Sequence, residues 1–433
     1  MGFGLLAIKY GSAEKMTLEV VIVLLAHFLL GSCALEEYPE YGVYLTVSSF
    51  TSLVTYGQFE VNWFGIGEER FGTVYVGIIK DGSPERKLLS VWPVTSSEGR
   101  HTSSVDAPHF DLATLMKRRC LGYSAALLEK AKGENKYTIR RTSCFAPRPN
   151  WMRKHCRALS SLPLNKMLIP GTHNSGMYNL GYAHPHEKLY LYNQDQNIRR
   201  QLAYGIRGLD LRVQYYNEDF YVTHDTVRGW VTIRDVLRDV LWFVNATGEL
   251  VLLDFHRFTT GFGKEHGLKR HEELQALIVE ELKDVLLGSY AWRRKFGDIF
   301  CNCTKTKRKN GRVIVFYNEV FAPKYVDYLS QGVYQMWPNA QTPRELITYL
   351  DREACVGHYL VFGIMAELTA SFPKLIVGNR VAAEWINRIV TEYFRKNYKK
   401  CRGIIYTDFF LGNNIIKVAI RANLAIAQEH QKA

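Results

Sequence analysis

Lys166-Met167-Leu168-Ile169-Pro170-Gly171-Thr172-His173-Asn174-Ser175-Gly176 is an apolar run that breaks at a glycine into a polar phrase carrying a histidine. The figure recurs twice downstream. Ile206-Arg207-Gly208-Leu209-Asp210-Leu211-Arg212-Val213 carries an acid and an arginine, and Phe220-Tyr221-Val222 runs into Thr223-His224-Asp225. Short aliphatic and β-branched runs of this kind read as buried strands. Two histidines, an arginine and two or three acids thus fall at the ends of consecutive strands. In an α/β barrel, catalytic residues collect at that edge.

Working outward, strands and helices alternate from about residue 151. Eight strand candidates stand at 166–172, 206–213, 219–224, 250–257, 313–318, 332–336, 360–367 and 402–409. Amphipathic stretches follow most of them, at Glu272 to Leu287, Pro343 to Ala354, Arg380 to Tyr398 and Ile415 to Ala427. This alternation predicts an α/β fold, a TIM-type (β/α)8 barrel over residues 151–430. Residues 35–147 have a different texture. Runs such as Tyr41 to Val47, Phe59 to Trp63, Thr73 to Ile79, Lys87 to Trp92 and Tyr137 to Thr142 are short, aromatic and β-branched. They predict a smaller all-β sandwich ahead of the barrel, interrupted by one helix-like stretch from Tyr123 to Lys132. The proline-punctuated Phe145-Ala146-Pro147-Arg148-Pro149-Asn150 is the linker. No catalytic constellation falls in the sandwich, which reads as a structural or surface-docking module.

The chain of 433 residues is 47% hydrophobic, ample for a sizeable core. Val20 to Leu30 is an apolar stretch followed by Gly31-Ser32-Cys33-Ala34, with small residues where a signal peptidase reads. It is too short to span a bilayer and predicts a secretory signal over residues 1–34 and an extracellular protein. Asn245-Ala246-Thr247 and Asn302-Cys303-Thr304 are glycosylation sequons. Beyond Cys33 seven cysteines remain, at 120, 144, 156, 301, 303, 355 and 401. The odd count leaves one thiol free or paired between chains, and Cys120 with Cys144 is a plausible bridge. The net charge of +13 favours anionic partners. No zinc finger, RNP-type signature or helix-turn-helix phrase is present, so nucleic acid is set aside, and on charge alone a merely soluble basic surface is favoured, with an anionic phospholipid left open as a partner.

A pair of histidines on neighbouring strand ends supplies one base and one acid for phosphodiester cleavage, since an ordinary imidazole populates both forms near neutrality. An arginine between them, Arg212, would neutralise the phosphate. A carboxylate is needed to hold each ring and fix its tautomer. Asp408, closing the run Ile404-Ile405-Tyr406-Thr407-Asp408, is placed to do this for His173, because the first and last strands of a closed barrel adjoin. Asn174 or Asp225 would assist His224.

At these residues the chain resembles the phosphatidylinositol-specific phospholipase C X-domain proteins, above all their secreted, two-domain invertebrate members. The resemblance is carried by Leu168 to Gly176, Gln201 to Arg212, Tyr221 to His224, Leu252 to His256, Trp337-Pro338-Asn339, Ala366 to Thr369 and Tyr406 to Phe409. It implies that His173 is the general base, His224 the general acid and Asp408 the partner of the base. In the calcium-dependent branch of that family the Asn174, Asp210, Arg212 and Asp254 positions hold metal ligands. Here Asn174, Asp210 and Asp254 match, but Arg212 is the arrangement of the metal-independent bacterial members, in which the guanidinium stands in for calcium. The resemblance therefore implies no cofactor. Asn174 departs from the acid that bacterial members place beside the base, and His256, Trp337 and Glu367 are candidates to shape a polyol pocket.

Three functions follow, of which the first is favoured: a phosphodiesterase cleaving the glycerol–phosphate bond of phosphatidylinositol-like lipids. The second is a glycerophosphodiesterase or sphingomyelinase D-like enzyme, disfavoured because the metal-binding Glu-x-Asp pair of those proteins is replaced by Asp210-Leu211-Arg212. The third is an inactive homologue that binds a lipid or a partner.

Overall fold

Ten strands after residue 160 make one sheet, and eight of them run parallel around a barrel. The computed structural model describes residues 39–50, 57–82, 86–130, 136–178, 189–263, 265–300, 312–319, 321–355, 361–369 and 378–432. The expected signal segment 1–34 and the sequon at Asn302 lie outside them. Residues 39–433 form a single compact unit.

The sandwich comes first in the chain. Its strands are β1 (Gly42–Val47), β2 (Gln58–Phe64), β3 (Val74–Lys80), β4 (Lys87–Pro93), β5 (Gly99–Asp106), β6 (Tyr123–Lys130) and β7 (Tyr137–Cys144). They form two antiparallel sheets, β1-β2-β5 and β4-β3-β6-β7. Phe59, Val61 and Trp63 of one sheet and Val76, Ile78 and Leu127 of the other lie in a common core. Of the stretch expected to be helical, Tyr123 to Lys132, the described part, Tyr123–Lys130, is instead β6. Its alanines and leucines favour helix locally, but the strand is central and buried on both faces: Leu127 turns to the main core, while Ala126 and Leu128 pack with Ile79 under Tyr75, Val91 and Tyr137. Tertiary burial overrides the local propensity. Strand β5, GRHTSSVD, carries too little apolar alternation to be visible in the sequence.

The barrel strands are β8 (Leu168–Thr172), β9 (Gly208–Tyr216), then the pair β10 (Asp219–His224) and β11 (Val227–Thr232), then β12 (Val251–Phe258), β13 (Val313–Tyr317), β14 (Leu329–Gln331), β15 (Tyr334–Met336), β16 (Phe362–Met365) and β17 (Gly403–Thr407). The hydrogen-bonded order is β14-β13-β12-β9-β8-β17-β16-β15, all parallel. Among the described residues no ladder joins β14 to β15, so the barrel has a seam there. Gly171 and Gly208 are required by close approach: a Cβ would fall 2.8 Å and 2.4 Å from Cγ2 of Ile404, which fills the barrel interior.

Two expectations about the strands are corrected. The run 219–224 is not a barrel strand; it is β10, antiparallel to both β9 and β11. Only Asn217 and Glu218 separate it from β9, both with positive φ (47° and 67°). A two-residue turn of that kind closes a hairpin, whereas a parallel neighbour needs a crossover of a dozen or more residues. The missing parallel strand is the three-residue β14, just before Gly332-Val333, which is too short to leave a pattern.

Helices α1 (Ile198–Tyr204), α2 (Ile233–Thr247), α3 (Gly267–Leu282), α4 (Pro343–Tyr349), α5 (Gly378–Asn397) and α6 (Ile415–Lys432) surround the sheet. In α2 the sequence states its own limits. Thr232 and Asp235 form a reciprocal capping box, Gly248 ends the helix at φ 72°, and Ile233, Val236, Leu237, Val240 and Val244 repeat at helical spacing on the buried face. Asn245 of the first sequon is exposed on the last turn.

The linker is fastened to the amino end of the barrel by Arg207, which is fully buried. Its guanidinium donates to the carbonyls of Leu202, Ile206, Arg148 and Pro149 and to Oε2 of Glu249 at 2.8 Å. Glu249, equally buried, also accepts from the amides of Met152 and Arg153. Cys355 is bridged to Cys401, and Cys120 to Cys144 as expected.

Candidate active site

The carboxyl ends of the strands converge on a cleft of about 220 Å³ lined by His173, Asn193, Arg212, His224, Asp225, His256, Arg257, Gln335, Trp337, Glu367, Thr369, Asn379 and Asp408. Strand register explains the first contact. Thr407 of β17 lies opposite Thr172 of β8, so the next residues, Asp408 and His173, face each other across the same ladder. Nδ1 of His173 is 2.8 Å from Oδ1 of Asp408. The carboxylate also accepts from Nδ2 of Asn193 at 3.1 Å, and Gln194 ties the carbonyls of His173 and Thr407 together.

On its other side the imidazole meets Arg212, whose terminal nitrogen is 2.7 Å from Nε2. A guanidinium cannot accept a hydrogen bond, so Nε2 must. The ring is therefore neutral in this geometry, with its proton on Nδ1 directed at Asp408. Burial and Arg212 push the His173 pKa down, but Asp408 more than offsets them and holds it above the ordinary value.

His224 arrives by a different route. β9 runs past the rim, turns, and returns as β10, with Val222 opposite Val213. Two residues further on, His224 is back near the level of Arg212. Its Nδ1 donates to the carbonyl of Leu191 at 2.9 Å. Neither Asn174 nor Asp225 orients it: Asp225 pairs with Arg257 at the exposed rim, and Asn174 is buried behind the cleft, its backbone N–H donating to Asp210. Burial lowers the His224 pKa and outweighs the carbonyl contact.

Asp210 and Asp254 sit side by side in the β9–β12 ladder. Burial alone would raise Asp210, but Arg212, His173 and the Asn174 N–H hold it below the usual carboxylate range. Burial and the neighbouring Asp210 push Asp254 up to about 8, although Gln335 and Tyr406 donate to it at 2.9 and 3.1 Å. His256 lines the cleft with a buried Nδ1 that has no partner, and burial lowers its pKa to about 4. Glu367 is buried beneath the cleft and raised by burial to about 7. Trp337 is half exposed at the rim, its indole N–H on Oγ1 of Thr369.

A calcium ion fits this set poorly. Oδ1 of Asn174 and of Asp254 are buried without hydrogen-bond partners and are oxygen donors of the kind a hard cation takes. The Asp210 oxygens, however, are engaged by Asn174, Gln335 and Arg212, and the Arg212 cation lies 3.3 Å from Oδ2. A fixed positive charge occupies the place where a metal would need negative charge.

Asn193, Gln194, Gln335, Arg257, Thr369 and Asn379 escape the sequence analysis. Asn193 and Gln194 follow no strand, so no edge marks them. Gln335 leaves a faint trace, a polar residue inside the short apolar run around β15.

No family model matches the chain. The human PI-PLC X domain-containing protein 1 is 25% identical over 330 residues, covering 65% of this chain and 94% of that protein. The human PI-PLC X domain-containing protein 3 is 28% identical over 235 residues, covering 46% and 67%. A PI-PLC X-box domain-containing protein of Dictyostelium discoideum is 25% identical over 132 residues, 27% of this chain and only 18% of that longer protein. Among solved structures, a phosphatidylinositol-specific phospholipase C from Staphylococcus aureus matches with a TM-score of 0.49 at 17% identity, over 64% of this chain and 97% of that one. Relatives named for a PI-PLC X or X-box domain recur from slime mould to human, and the phrases that carried the resemblance supply His173, Arg212, His224 and Asp408 to the cleft: the chain is similar to the PI-PLC X domain-containing proteins.

Proposed function

We propose that this chain is a secreted phosphodiesterase of phospholipase C type, cleaving the glycerol–phosphate bond of a phosphatidylinositol-like lipid or glycolipid at a membrane surface without a metal. The observation that carries the proposal is the arrangement of Arg212 against His173, backed by Asp408, with His224 on the same cleft.

A substrate phosphate attracts the Arg212 guanidinium by bidentate contact. That contact draws it away from Nε2 of His173 and frees the lone pair to take the proton of the inositol hydroxyl that attacks phosphorus. Asp408 holds the ring and stabilises the imidazolium formed. His224 must enter as the imidazolium, whose Nε2–H protonates the departing glycerol oxygen while Nδ1–H stays on Leu191. Arg212 neutralises the charge that develops on the phosphoryl oxygens. His256, Glu367 and Trp337 are the proposed contacts for the polyol. Export is consistent with the Cys120–Cys144 and Cys355–Cys401 bridges, which persist in oxidising compartments. Among the described residues no helix is long and apolar enough to cross a membrane.

The test uses the purified secreted chain on phosphatidylinositol vesicles in excess EDTA, following water-soluble inositol phosphate with His173→Ala as control. Release that survives EDTA and is absent from the variant is expected. No release, with or without calcium, would refute the phosphatidylinositol assignment.

A further inference from the structure

Two carboxyl groups meet one guanidinium nitrogen where the sandwich rests on the barrel. Nη1 of Arg100, on β5, is 3.2 Å from Oε1 of Glu60 on β2 and 2.7 Å from Oε1 of Glu384 on α5. Glu60 is fully buried and also accepts from the hydroxyls of Thr46 and Thr102, at 2.9 and 3.2 Å. Oε2 of Glu384 accepts from the Ser48 hydroxyl at 2.9 Å and from the amide and hydroxyl of Ser49 at 3.0 and 3.1 Å. The two glutamates also hydrogen-bond each other. An ionised carboxylate has no proton to donate, so that bond exists only while one of the pair is protonated.

The donors show which one. Glu384 collects the two serines and Arg100, and although burial alone would raise it, the bond from Glu60 and these contacts hold it below the usual carboxylate range. Burial and Glu384 push Glu60 up to about 8, against Arg100. With one proton the pair carries a single negative charge, which Arg100 balances. Without it, a second negative charge faces the first across the seam, and two carboxylates sharing one site repel. The neighbouring charges are otherwise engaged or a turn away. On α5, Arg380 precedes Glu384 by one turn and is paired with Asp195, Arg388 follows by one turn, and Glu392 is paired with Arg395 and accepts from the Tyr44 hydroxyl of β1. On β5, His101 stacks on Trp63 and Trp92.

Helix α5 carries the contact to the cleft. Three residues beyond Glu384, Asn387 donates to the carbonyl of Asp408 at 3.1 Å. Ser49 donates to the carbonyl of Arg380 and accepts from its guanidinium at its own carbonyl. Asp195, the partner of Arg380, lies two residues from Asn193, which holds the Asp408 carboxylate.

We propose that Glu60, Glu384 and Arg100 form a proton-dependent clasp between the sandwich and α5, closed while the carboxyl pair keeps one proton and opened when that proton passes to water. Through α5 the clasp positions Asp408. The clasp is independent of the phosphodiesterase reading, and only its bearing on turnover rests on it.

Hydrogen exchange of the full secreted chain at pH 5 and pH 8, corrected for the intrinsic rate at each, tests the proposal without requiring activity. A group whose closed-state pKa is raised favours closure fully below about pH 4 and loses that effect as the pH rises through 8. Protection at residues 380–392 and 406–410 should therefore fall by at least about tenfold between the two values. Glu60→Gln supplies an amide in place of the protonated carboxyl and does not titrate, so its protection there should stay level. Glu60→Ala should be poorly protected at both. Asp254→Asn, which removes the other carboxyl raised to about 8, should keep the wild-type contrast. A wild-type contrast persisting in Glu60→Gln, or absent from the unmodified protein, would overturn the clasp. A fall at 380–392 without one at 406–410 would overturn the link to Asp408. Should Glu60→Gln fail to fold, the unmodified protein decides by itself: a fall confined to the two segments is expected, and an equal fall in α2 and α3 refutes the proposal.

Discussion

Nδ1 of His173 and Oδ1 of Asp408 stand 2.8 Å apart although 235 residues separate them in the chain. The contact exists because β8 and β17, near the two ends of the barrel sequence, are hydrogen-bonded neighbours in register. The same carboxylate raises the His173 pKa while burial lowers that of His224, so the proposed base is the stronger base of the pair.

That order has a consequence for the pH profile. In the proposed mechanism turnover requires neutral His173 and charged His224, and the alkaline limb of the bell then belongs to the higher pKa, that of His173. In Asp408→Asn the carboxylate no longer supports the imidazolium, and burial and Arg212 pull the pKa down. The alkaline limb of kcat/KM should move to lower pH with the acid limb in place, and kcat should fall about 10²–10⁴-fold. An unmoved alkaline limb would show that another group sets it.

Arg212 spans Nε2 of His173 and Oδ2 of Asp210. A lysine brings the charge without the fork, so Arg212→Lys should lose about 10²–10³-fold in kcat with a smaller change in KM, and Arg212→Ala should lose more. Steady-state kinetics on vesicles checks this. A change confined to KM would mean that the arginine only binds the lipid.

Asp254 bears on stability. Its folded pKa, raised by burial and Asp210 to about 8, means that the folded protein keeps a proton which the unfolded chain releases. The stability this contributes is present in full below about pH 4 and is lost as the pH rises through 8. Asp254→Asn should therefore be more stable than wild type at pH 8 and close to it near pH 4. Urea midpoints at the two values decide, and an equal loss at both would trace the effect to hydrogen bonding with Gln335 and Tyr406.

Glu249 neutralises Arg207 at the opposite end of the barrel, where both are fully buried. Glu249→Gln strands a buried guanidinium and should destabilise the fold by about 3–5 kcal/mol while leaving KM unchanged. A loss below about 1 kcal/mol in chemical denaturation would show that the carbonyls around Arg207 suffice.

The linear sequence determined much of this protein by itself. Apolar runs ending in Thr172-His173, Asp210-Leu211-Arg212 and Thr407-Asp408 specify strands and their edge, since backbone period and burial are local properties. The limits of α2 are equally explicit, written in Thr232, Asp235 and Gly248. Tertiary structure decided what depends on pairing. It made β10 antiparallel, so that His224 returns to the rim and rests on the Leu191 carbonyl. It turned the Ala-Leu run of β6 into a strand by burying both faces, and it brought Asn193 and Gln335 to the acids they serve. It also set Glu60 and Glu384 against one nitrogen of Arg100. Side-chain electrostatics act through space over a few ångströms, and the chain order carries no record of which distant residues share that space.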